Sequence, residues 1–106
     1  MHDFEGRWRI TWMETWPQDY VDLVEPGYFQ FDEDNLGAFV FGAVRGWIDV
    51  RVSSKKPYLE YSWQGVSEGD DFCGRGWFEF PNPNQGEGKL FIHCGDESAI
   101  KIERET

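Results

Sequence analysis

The segment from His93 to Ser98, reading His-Cys-Gly-Asp-Glu-Ser, gathers an imidazole, a thiol, two carboxylates and a hydroxyl, the densest run of reactive groups in the chain. Such groups could serve a hydrolase or a redox enzyme built around His93, Cys94 and Asp96, with the imidazole as base and the thiol as nucleophile. Adjacent residues on a strand point to opposite faces, so His93 and Cys94 reach one substrate only across a bulge. A Gly-Asp turn between two strands accounts for Gly95 and Asp96 without catalysis. The second thiol, Cys73, lies as far before the Pro83-Asn84 pair as Cys94 lies after it. A regular hairpin would therefore set the two cysteines opposite one another, and a one-residue register shift would break that pairing. With His93 they could make a metal or redox site, but three ligands without Cys-x-x-Cys spacing favour two buried, free thiols.

Two acidic runs call for the same weighing. Asp32-Glu33-Asp34-Asn35-Leu36-Gly37 begins as a calcium loop would, yet Leu36 stands at the fifth position and Ala43 at the twelfth, where oxygen ligands are needed. Asp, Asn and Gly are what a hairpin turn requires, so a turn is expected. Glu68, Asp70 and Asp71 could attract a cation or a basic partner, or could simply be solvated turn carboxylates. The chain carries no serine elbow, phosphate-cradling loop, His-Glu-x-x-His pair or nucleotide fingerprint. No catalytic set, metal site or cofactor follows, and the expectation is a protein that is not an enzyme.

The elements that must position these groups are strands. Trp8, Ile10 and Trp12 alternate with Arg7, Arg9 and Thr11, a period of two that a helix would not give, because a helix would turn Ile10 away from both tryptophans. Trp8 and Trp12 are thus expected inside. Near residues 15–25, Trp16, Tyr20, Leu23 and Val24 fit one short helical turn, closed by Pro26. Alternation then returns, with inward sets Phe29 and Phe31, Phe39 and Phe41, Ile48, Val50 and Val52, Leu59, Tyr61 and Trp63, and finally Ile100 and Ile102. Counted through, about eight strands with short connections predict a single domain over residues 1–106, an antiparallel up-and-down meander closed into a small β-barrel. Closure removes exposed edges, and Gly42, Gly46, Gly74 and Gly76 are expected to mark bends or bulges.

At Phe4, Gly6, Trp8, Ile10, Glu14 and Trp16 the chain resembles the N-terminal pattern of the calycin-type barrels, F-x-G-x-W, seen in fatty-acid-binding proteins, lipocalins and avidins. The resemblance covers residues 4–20 and implies a barrel closed at one end by the tryptophan and built around a small apolar ligand. The Arg-x-Tyr carboxylate clamp of fatty-acid-binding proteins is absent from the C-terminal AIKIERET, so no ligand residue carries over. In general look the chain also resembles short bacterial proteins, which brings no function with it. An eight-stranded barrel is just wide enough to be filled by its own side chains or to hold one small ligand. The bulk of the inward set favours filling.

Twenty acidic against ten basic residues leave a charge of -10. That charge repels a phosphate backbone, so direct binding to nucleic acid or an anionic membrane is not expected. With no export signal or membrane-length apolar run in the sequence, the expected location is cytoplasmic. The function that follows is an acidic interaction module docking a basic protein partner, as inhibitor or regulator. Asp32, Glu33, Asp34, Glu68, Asp70 and Asp71 would supply the charge, and Trp16, Tyr20 and Trp47 the exposed aromatic anchors. A carrier of a small apolar ligand is the alternative.

Overall fold

A computed structural model describes residues 4–54 and 56–105. The elements run β1 (Gly6–Met13), α1 (Gln18–Val21), β2 (Tyr28–Phe31), β3 (Leu36–Phe41), β4 (Val44–Val52), β5 (Tyr58–Ser67), β6 (Asp70–Asn82), β7 (Gln85–Ile92) and β8 (Glu97–Arg104). Each strand pairs antiparallel with its neighbours in the chain, and β1 pairs with β8 to close an eight-stranded up-and-down barrel. Because every hairpin reverses the chain, connections alternate between the two ends. One end, the lid end, carries α1 and the β3–β4, β5–β6 and β7–β8 turns. The opposite end carries the β2–β3, β4–β5 and β6–β7 turns, together with the start of β1 and the finish of β8.

The expected alternation holds for most of the interior. Trp8, Ile10, Phe29, Phe31, Phe39, Phe41, Ile48, Val50, Leu59, Tyr61, Trp63, Ile100 and Ile102 are all buried, joined by Phe78, Phe80 and Leu90. Phe29 lies at the centre, stacked on Phe39 at 4.9 Å and edge-on to Phe78 at 4.9 Å. Trp12 and Val52 depart from the expectation and are exposed. For Trp12 the cause is a bulge: Ile10 faces Ile102, but Trp12 faces Lys101 rather than Ile100, leaving Thr11 as the extra residue. From there the faces exchange, so Met13 enters the core and Trp12 turns out beneath the Lys101 ammonium.

Gly42, at φ 57° in the β3–β4 turn, marks an expected bend, whereas Gly46, Gly74 and Gly76 fill a different role within strands. Gly76 pairs with Tyr61 and Gly74 with Trp63 across β5 and β6. Lacking side chains, they let Tyr61 and Trp63 lie across β6 and donate hydrogen bonds to carbonyls of β7, Tyr61 Oη to Lys89 O at 3.0 Å and Trp63 Nε1 to Phe91 O at 3.2 Å. A Cβ on Gly76 would stand 2.3 Å from both Lys89 O and the Tyr61 hydroxyl. Gly46 likewise receives the Phe39 ring, and Gly42 lies in a turn under Tyr20. Aromatic rings and glycines are thus complementary halves of one filled interior.

The two ends are closed by tryptophans. At the end with the β1 start, Trp8 donates to Phe4 O at 3.0 Å and packs against Phe80, with the Arg104 guanidinium over its ring. At the lid end, Trp16 packs against Phe41 at 4.9 Å. The lid is latched by Asp22, which accepts two hydrogen bonds from Arg9 at 2.7 and 2.9 Å, one from Gly27 N and one from Gln18 Nε2.

Candidate functional site

Trp16 and Tyr20, expected as exposed anchors, are half-buried parts of the lid. Trp16 covers Phe41, and the Tyr20 ring occupies the space above Gly42 with its hydroxyl accepting from Ala43 N at 3.4 Å. Their surface is spent on closing the barrel. Trp47 fits the expectation of exposure: it projects from β4 and is 51% exposed.

The six acidic residues do not form one face. Asp32, Glu33 and Asp34 lie in the β2–β3 turn and Glu68, Asp70 and Asp71 at the β5–β6 turn, at opposite ends of a molecule whose longest dimension is 37 Å. The first group makes a local turn, in which Asn35 adopts φ 64° and Asp34 Oδ1 accepts from Leu36 N at 3.2 Å. At the second, Glu68 and Gly69 both take positive φ, 50° and 87°, the requirement of a two-residue hairpin turn that follows the strand twist.

The reactive segment near His93 is also dispersed. Ser98 is fully buried, donating to Ala99 O and accepting from Thr15 N, so it holds the end of β1. Gly95 N bonds Ile92 O and Ile92 N bonds Asp96 O, a tight turn in which Cys94 takes φ 57°. His93 and Cys94 border one shallow cleft of about 410 Å³ with Cys73 and Arg75, and Asp96 does not line it. Both thiols are exposed, against the expected burial. Cys73 and Cys94 are not cross-strand partners either: Cys73 O accepts from His93 N at 2.7 Å. The register changes by one residue between the Asn82–Gln85 and Glu79–Glu87 pairs, a stretch that contains Pro81, whose missing N–H cannot join the ladder. Among the described residues no group of three His, Cys, Asp or Glu side chains is placed to hold a metal ion.

A different grouping emerges on the lid half of the barrel. Trp47, Gln64 and Cys73 are successive cross-strand partners on the outward faces of β4, β5 and β6, and His93 follows beyond β7. With Gly65, Val66, Asp71 and Phe72 they line a shallow groove of about 560 Å³. Arg45, paired across strands with Val66, reaches Glu25 at 3.6 Å and so ties the groove to the exposed Leu23 and Val24 of the lid loop. Among the described residues, five of the eight exposed large apolar side chains, Leu23, Val24, Trp47, Val66 and Phe72, thus share one region, bordered by Glu25, Glu68, Asp70 and Asp71. Val66 and Phe72 escape sequence reasoning because their alternation reads as ordinary strand; only the closed barrel shows that both stay partly exposed.

The chain matches no family model, no curated protein and no solved structure. No helix among the described residues is long and apolar enough to cross a membrane.

Proposed function

We propose that the protein is a non-enzymatic interaction module whose lid half docks a basic protein partner. The observation that carries this reading is the clustering of five exposed apolar side chains, Leu23, Val24, Trp47, Val66 and Phe72, beside four carboxylates on one side of the barrel. Apolar groups surrounded by charge are what a hot spot and its rim require, and single-sign charge steers an oppositely charged partner. The filled interior supports docking over carriage, since Phe29, Phe39, Tyr61, Trp63 and Phe78 occupy the space a ligand would need.

Charge reversal at the two ends separates this reading from a nonspecific effect of net charge. A Glu68→Lys/Asp70→Lys/Asp71→Lys variant should lose most binding to basic polypeptides in a titration at low ionic strength, whereas Asp32→Lys/Glu33→Lys/Asp34→Lys should retain it. Equal losses from both variants would sink the localised site. A small apolar molecule retained in native mass spectrometry of the protein from its own host would favour the carrier reading.

A further inference from the structure

Building on the docking reading above, we infer that the occupant of the Trp47–Val66–Phe72 groove is a basic amphipathic helix of about three turns. Closure of the barrel excludes the simplest extended alternative: β1 and β8 pair with each other, so the sheet offers no free edge to which a partner strand could add. Recognition therefore runs through side chains. The apolar region extends from the lid loop at Leu23 and Val24 across β4 and β5 to Phe72 on β6. Two strand spacings from β4 to β6 make about 10 Å, and the lid loop beyond Arg45 of β4 extends this to about 15 Å, the length of roughly ten helical residues at about 1.5 Å each.

A helix of that length presents apolar residues at i, i+3 or i+4, and i+7 along one stripe, enough to meet the Leu23–Val24, Trp47–Val66 and Phe72 positions in turn. Gly65 also lines the groove, packed so closely on β4 that a Cβ there would stand 2.2 Å from Arg45 O. The helix's remaining faces meet charge. Glu25, Glu68, Asp70 and Asp71 surround the region, while the Arg45 guanidinium within it is drawn to Glu25 at 3.6 Å. Lysine or arginine beside the apolar stripe satisfies these carboxylates. A second copy of this chain would bring the same carboxylates against each other, so charge disfavours self-association.

The test uses the full chain, labelled with ¹⁵N, and three synthetic peptides of about fourteen residues. One carries leucine at helical spacing with lysine elsewhere, the second has the same composition scrambled, and the third keeps the leucine pattern with glutamate for lysine. The first peptide should bind, gain helical circular dichroism and shift resonances of Leu23, Val24, Trp47, Val66 and Phe72, with affinity falling at least about tenfold in Trp47→Ala, a hot-spot-sized loss. Val66→Lys, at an exposed position that a folded chain tolerates, should weaken it comparably. Equal binding of the scrambled peptide would overturn the helical occupant while leaving the basic-partner reading in place. Failure of both lysine peptides to shift these residues would overturn both. Equal binding of the glutamate peptide would remove the charge argument, and a dimer in sedimentation that Trp47→Ala dissociates would replace the helix by a second copy.

Discussion

Asp22 shows how much one side chain can organise. It lies within the lid loop, accepts from Arg9, Gln18 and the Gly27 backbone, and joins β1 to the segment leading into β2. The hydrogen bonds from Arg9 hold its carboxyl well below the ordinary carboxylate value of 3.8, against the opposing effect of burial. The charged form is thus favoured by folding, so the stability it contributes is complete above that ordinary value and drains away as pH falls below it. Asp22→Asn should lower stability at neutral pH by about 1.5 to 3 kcal/mol, the range for hydrogen bonds to a charged group. Urea denaturation at a series of pH values should also show a shallower loss of stability in acid for this variant than for the parent. Identical acid slopes would mean that other carboxylates govern the acid response.

At the scale of elements, two register shifts and a set of glycines decide what the strands present. The bulge at Thr11 sends Met13 inward and Trp12 outward, and the register shift between Glu79 and Asn82 places Cys73 opposite His93 instead of Cys94. Gly76 lets Tyr61 cross β6 to reach the Lys89 carbonyl. Gly76→Ala would force a Cβ within 2.3 Å of that carbonyl oxygen, where the obstacle is backbone of the neighbouring strand. The expected cost is about 3 kcal/mol or loss of folding, at the upper end for overpacking. Gly95→Ala, whose Cβ would come no nearer than 3.1 Å to the Ile92 side chain and 3.7 Å to its carbonyl oxygen, should change the urea midpoint far less. Comparable midpoints for the two variants would show that β6 and β7 can separate without penalty.

For the whole molecule, twenty acidic residues on a body with a radius of gyration of 12.6 Å repel one another. Added sodium chloride screens that repulsion over about 10 Å at 0.1 M, so the melting temperature should rise between 10 and 150 mM salt. A fall would mean that attractive pairs such as Arg9 with Asp22 outweigh the excess negative charge. The sequence by itself determined the class of fold, because period-two alternation in Phe29–Phe31, Phe39–Phe41, Leu59–Tyr61–Trp63 and Ile100–Ile102 is a local property, and short turns leave a meander few other arrangements. It also marked Trp47, Glu68, Asp70 and Asp71, whose exposure or turn chemistry is local too. What only the tertiary structure decided is non-local. A bulge of one residue inverts every later side chain, as Trp12 and Met13 show. The order of hairpins places Asp32–Asp34 and Glu68–Asp71 at opposite ends, and closure leaves Val66 and Phe72 partly exposed beside the lid's Leu23 and Val24. Faces and neighbours such as these arise from pairings between distant segments, which no window along the chain contains.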